Sequence, residues 1–265
     1  MNIAVITGAS SGLGKEFAIQ INEKYSKSTD EIWLIARRED KLLSLANEIE
    51  RMGQCKAKIF PMDITNRNSV LNFSNILKEQ NANITFLVNA AGMGKIGNTT
   101  EISQEDSLKM IDLNCTAAVN MTLICLEHMS AGAKILQICS TAAFQPMQGL
   151  NIYSASKAFL LRFSMALKWE LSGRKIKLTA ICPYWIKDTE FIGVAQNGDH
   201  EKSTKSIKHF ALASKTKSVV KFSLKANNMG MWYFTPGFVC FFHSIFARIL
   251  PSIASMGIWE LLRKL

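Results

Sequence analysis

In the stretch "NIYSASKAFL", residues 151–160, Tyr153 stands four positions ahead of Lys157. On a helix those positions share one face, so the ammonium can lie beside the phenol and favour its ionised form. A free tyrosine titrates near 10, and a neighbouring cation lowers that value by about 1–3. Such a pair suits proton transfer, because acid–base catalysis works best when a pKa approaches the working pH. Spacing alone proves little: chance supplies such a pair in roughly one chain in three of this composition. A ring and a charge sharing a helix face remains the plain alternative.

A second stretch points to phosphate. "TGASSGLG" (7–14) joins a β-branched run to a helical one, with glycines at 8, 12 and 14. Glycine permits a tight turn and close backbone approach, leaving the N–H groups and positive dipole of a helix start facing a pyrophosphate. Thr7, Gly8, Ser10, Ser11, Gly12, Leu13 and Gly14 are the candidate contacts. The spacing is GxxxGxG, not the GxGxxG of longer dinucleotide-binding chains. At the end of the next strand, "ARRED" sets Ala36, Arg37 and Arg38 where chains preferring NAD keep a carboxylate for the ribose 2′-hydroxyl. Two guanidiniums suit a 2′-phosphate instead, so NADP(H) is the expected cofactor. Two solvated arginines opening a helix are the alternative.

These groups need a frame. Strand-like runs at 3–6, 32–36, 57–60, 84–88, 134–139 and 177–182 alternate with helical patterns over 12–24, 40–52, 66–80, 103–129 and 151–172. Repeated βα units imply an α/β fold, a doubly wound parallel sheet with helices on both faces. A short strand within "GMWYFTPG" (230–237), stopped by Pro236 and Gly237, would make it seven-stranded. The expected organisation is one domain over 1–236 and a basic, aromatic helical extension over 237–265.

The 265 residues are 48% apolar, enough to bury a core. Six cysteines without a CxxC, in mostly apolar surroundings, read as free thiols in a reducing compartment, and no metal site is expected. "MNIAVITGAS" enters a strand pattern at once, without a basic leader region, which favours a cytoplasmic protein, with membrane association left open. The net charge of +10 sits mostly at the end: residues 201–265 carry ten Lys/Arg against two Asp/Glu. Lys217, Lys221 and Lys225 form one helical stripe, and Phe238, Phe241, Phe242, Ile245, Phe246 and Ile249 another. A solvated face, peripheral membrane docking and subunit packing all fit them. The uncharged run from the strand's glycine to residue 247 is too short to cross a bilayer. Nucleic-acid binding is not expected, since no reader motif accompanies the basic residues.

The ordered motifs resemble the short-chain dehydrogenase/reductase family in its single-domain, Rossmann-like form, over about residues 3 to 190. The resemblance adds Asp63 in "PMDIT", followed by Ile64, at the adenine end. It adds Asn89, Ala90 and Ala91 of "NAAG", Asn114 in "DLNCTA", and Ser140 in "ICSTAAF", thirteen residues before Tyr153. It implies interconversion of a ketone and a secondary alcohol. Tyr153 would exchange the proton, Lys157 would also hold the nicotinamide ribose, Ser140 would bind the substrate oxygen, and Asn114 would anchor a water. Singly, these residues also read as a strand cap, a helix-internal amide and a turn starter.

One segment departs from the family. Its usual Pro-Gly becomes Pro183-Tyr184 in "CPYWIKDTEF", and Thr189 falls one position late, so contacts such as Ile186 are carried over loosely. Phe144, Met147, Leu150, Tyr184 and Trp185 are the candidate pocket residues, apolar enough for a sterol, bile acid or acyl chain. Residues 190–214 hold the place of a substrate lid. A dimer or tetramer is expected. A dinucleotide-sensing scaffold without turnover is the competing function, and a 3-oxoacyl reductase or an epimerase competes within enzymes.

Overall fold

The first strand, β1 (Asn2–Thr7), is buried along almost its whole length and is followed by α1 (Gly12–Tyr25). The pattern repeats through β2 (Glu31–Ala36), α2 (Glu39–Arg51), β3 (Lys56–Pro61), α3 (Arg67–Glu79) and β4 (Asn83–Asn89). It continues with α4 (Gln104–Ile111), α5 (Ala118–Leu126), β5 (Lys134–Ile138), α6 (Asn151–Glu170) and β6 (Lys177–Ile181). Then come α7 (Phe191–Gln196), α8 (Thr216–Asn228), β7 (Tyr233–Phe234), α9 (Phe238–Ile249) and α10 (Ser252–Leu262). This computed structural model describes residues 1–196 and 213–262. Most of the expected lid, 197–212, lies outside the described residues.

All seven strands are parallel, in the order β3-β2-β1-β4-β5-β6-β7. Parallel strands buried on both faces read as continuous Val/Ile/Leu runs, as "NIAVIT" and "EIWLIA" do. One face packs Ile3, Val5, Trp33 and Ile35 against α3 and α5; the other packs Ala4, Ile6, Ile32 and Leu34 against α1 and α2. Strand order reverses between β1 and β4. That opens a crevice beyond their carboxyl ends, at Thr7 and Asn89, where folds of this kind take ligands.

The helical segment expected over 103–129 runs from Gln104 to Leu126, widening into a π-type turn, Asp112–Ala117, between α4 and α5. The short seventh strand falls within 230–237 as Tyr233 and Phe234, and Pro236 and Gly237 end it, Gly237 with φ at +108°. Among the described residues no helix is long and apolar enough to cross a membrane, and no group of His, Cys, Asp and Glu could hold a metal.

Candidate active site

A cavity of about 540 Å³ lies at the carboxyl ends of the strands. The turn after β1 forms one end. Gly8 and Gly12 have φ of +67° and +54°, which side chains rarely adopt. A Cβ on Gly8 would stand 2.7 Å from the Ala91 nitrogen, and one on Gly14 would stand 2.2 Å from the Gly8 oxygen. The turn is thus folded tightly on itself and on the end of β4. Ser11 starts α1 in an extended conformation without a side-chain cap bond, so the helix start is open to the cavity.

Ser10, Leu13, Arg37, Arg38, Asp63, Ile64, Ala90 and Ala91 share this end. The Arg38 Nη2 donates to Ser10 Oγ at 3.1 Å and pairs with Glu190 Oε2 at 2.9 Å. Asp63 Oδ1 accepts from the Thr65 amide and hydroxyl at 2.9 and 2.7 Å, which fixes its carboxylate at the rim. Thr7 and Asn89 stand behind the wall instead. Thr7 Oγ1 accepts from the Ala91 amide at 3.2 Å, and Asn89 donates to Thr122 Oγ1 at 2.9 Å, so both hold the cradle in shape.

At the other end, Tyr153 is almost wholly buried beside Ser140, whose Oγ accepts the Ala142 amide at 3.1 Å. Burial pushes the Tyr153 pKa up to about 12, against the opposing pull of the Ser140 side chain. The lowering expected from Lys157 does not prevail. Its Nζ donates to the Ile138 carbonyl at 2.9 Å and stands 5.8 Å from the Tyr153 ring centroid. At the ring a cation stabilises the neutral π-system, while desolvation penalises the phenolate. Burial also pushes Lys157 down, countered by the neighbouring thiols of Cys139, Cys115 and Cys182.

Asn114 sits in the π-type turn of the long helix. Fully buried in the wide turn, it accepts from the Met93 amide at 2.9 Å and donates to the Met93 carbonyl at 2.8 Å and Ser156 Oγ at 3.0 Å. A π-type turn redirects one side chain inward, here to clasp the segment leaving β4. A Cβ on Gly92 would lie 3.1 Å from Asn114 Oδ1 and 3.2 Å from Lys157 Nζ, so glycine lets these groups close around it.

Met147, Leu150, Pro183, Tyr184, Trp185 and Ile186 line the cavity as expected. Phe144 does not. The 3₁₀ turn Thr141–Phe144 swings its ring towards Tyr233, 5.9 Å away, and under the Arg248 guanidinium at 5.6 Å. Two residues were missed. Phe191 lines the cavity with its ring 5.6 Å from that of Tyr153. Trp259 of α10 packs into the same apolar cluster as Met147, Leu150 and Tyr153, its indole N–H donating to the Gln148 carbonyl at 3.0 Å. No local pattern links position 259 to 153; only the fold brings them together.

A doubly wound sheet with a glycine turn at its switch point defines a dinucleotide-binding α/β protein. More narrowly, the chain belongs to the short chain dehydrogenase family, whose model matches residues 2–199, and is an oxidoreductase of that family. It is 32% identical over 258 residues to the 17-beta-hydroxysteroid dehydrogenase type 3 of Mus musculus, covering 95% of this chain and 76% of that one. Its fold is similar to a short-chain dehydrogenase from Sphingobium yanoikuyae in complex with NADPH, with TM-score 0.75 and 24% identity over 97% and 95% of the two chains. It is also similar to one from Burkholderia phymatum in complex with NAD, with TM-score 0.74 and 20% identity over 89% and 88%. One fold accommodates both dinucleotides, so this chain's own residues must decide between them.

Proposed function

We propose that the protein interconverts a ketone and a secondary alcohol on an apolar substrate, using NADP(H). The observation that carries this is that Ser140, Tyr153 and Lys157 line one end of a cavity whose other end is a glycine turn flanked by Arg37 and Arg38. The cradle fits the cofactor: at Gly8 and Gly14 backbone stands where any side chain would lie. Arg37 and Arg38 would hold the 2′-phosphate, Asp63 and Ile64 the adenine end, and Lys157 the nicotinamide ribose. Hydride exchange is the chemistry NADP(H) supplies when bound.

The protein's own part is the proton. Burial keeps the Tyr153 phenol protonated at neutral pH, ready to donate to a carbonyl oxygen, and Ser140 is placed to hydrogen-bond that same oxygen. Met147, Leu150, Tyr184 and Trp185 give the pocket an apolar wall, suited to a sterol, bile acid or acyl chain. The resemblance to a hydroxysteroid dehydrogenase supports the same class. A panel of apolar ketones and alcohols, followed by nicotinamide absorbance, tests the reading. Tyr153→Phe should lower kcat by about 10²- to 10⁴-fold with its melting temperature unchanged, and undiminished turnover overturns the proton role.

For partners, a homo-oligomer is supported by exposed Leu123 on α5 and Phe159 on α6, and peripheral membrane contact by exposed Phe238, Phe241, Phe246 and Ile249 on α9. Sedimentation with and without anionic liposomes reads both. A monomer that stays in the supernatant overturns both.

A further inference from the structure

Three consecutive residues beyond β6 lie across the cavity, each on a different part of it. The Thr189 methyl sits 3.3 Å from where a Cβ on Gly12 would be. The Glu190 carboxylate pairs with Arg38 at 2.9 Å. Phe191 packs against Tyr153 at 5.6 Å. The strap is anchored just upstream. Asp188 accepts from the Thr216 amide at 2.9 Å and from its hydroxyl at 2.6 Å, at the start of α8.

The place of Glu190 matters because of what β2 lacks. That strand ends at Ala36 and is followed by Arg37 and Arg38, with no acid at those two positions to receive a ribose 2′-hydroxyl. The fold returns an acid to the spot from far along the chain. Arg38, which would hold a 2′-phosphate, is held by the Glu190 carboxylate, whose pKa that pairing depresses. Its negative charge therefore persists at neutral pH.

We infer that Glu190 is a specificity-determining residue of the dinucleotide site, an internal anion that narrows the preference for NADP(H) over NAD(H). This rests on reading Arg38 as a 2′-phosphate contact. A 2′-phosphate must take Arg38 from Glu190 and is repelled by it. A 2′-hydroxyl is a donor that the carboxylate accepts, so NAD(H) binds with the ion pair intact. Both side chains are about half exposed, at 43% and 54%, and pairs in that setting are weak. The effect is accordingly a few-fold rather than orders of magnitude.

Fluorescence titration of NADPH and NADH onto the wild type, Glu190→Gln and Arg38→Gln tests this, with thermal melts confirming that each variant folds. Glu190→Gln should tighten NADPH about threefold to tenfold and leave NADH unchanged or weaker, so the preference for NADPH rises. Arg38→Gln should weaken NADPH about tenfold and NADH far less. If Arg38→Gln costs both equally, the 2′-phosphate reading fails and the inference with it. If Arg38→Gln is selective but Glu190→Gln leaves the ratio within twofold, the inference about Glu190 alone is overturned.

Discussion

The dinucleotide end of the cavity draws most of its walls from the first 65 residues: the turn after β1, the arginines after β2, and Asp63 and Ile64 after β3. The substrate end gathers Met147, Leu150, Tyr153, Tyr184, Trp185 and Phe191, backed by Trp259 of the last described helix. The first end is constrained by backbone, where 2.2 Å between a hypothetical Cβ and a carbonyl leaves one residue type possible. The second is an apolar cluster in which many side chains of suitable volume would pack. A turn specified by sterics is written in a few adjacent letters. A pocket specified by packing is spread along the chain.

The comparison can be broken most forcefully at Gly14. Gly14→Ala sets a Cβ against the Gly8 carbonyl and should cost about 4 kcal/mol, lowering the melting temperature on the order of 10 °C and abolishing dinucleotide binding. Calorimetry showing a melt within 2 °C of wild type, alongside intact binding, would show that the turn is not sterically fixed.

At the substrate end, Trp259→Ala should cost about 3 kcal/mol by leaving the cluster around Tyr153 short of an indole. It should also move the ionisation of Tyr153 down from about 12 towards 10, since the burial that penalises the phenolate is partly lifted. Ultraviolet titration against a Tyr153→Phe reference reads the change. An unmoved titration would mean that α10 does not shield the phenol.

The smallest effect sharpens the contrast between glycines. Gly257 lies exposed in α10 with nothing near its missing Cβ, so Gly257→Ala should stabilise the protein by about 0.5–1 kcal/mol. A destabilised variant would reveal a backbone demand at a position where the structure shows none.

Legibility followed the same division. The strands and the glycine turn were readable because β-branched runs and left-handed glycines are local signals. The helical segment over 103–129 was readable, but not its wide turn, which aims Asn114 at Met93 and Ser156, partners distant in sequence. Phe144 was assigned to the pocket by analogy with the family, yet a single 3₁₀ turn sends its ring the other way. The pairing of Tyr153 with Lys157 was legible as spacing. The direction of the tyrosine's pKa was not, because it depends on how much protein surrounds the phenol.

By itself, the sequence determined the alternation of strands and helices, the glycine turn, the two arginines of "ARRED" and the Ser140, Tyr153 and Lys157 constellation. Each depends on adjacent residues, on helical periodicity or on motif order. Only the tertiary structure decided that an acid, Glu190, meets Arg38 at the site where β2 carries none, and that Trp259 backs the substrate end. Ion pairs and buried clusters are made by whichever segments the fold brings within a few ångströms, and one-dimensional spacing does not encode that distance.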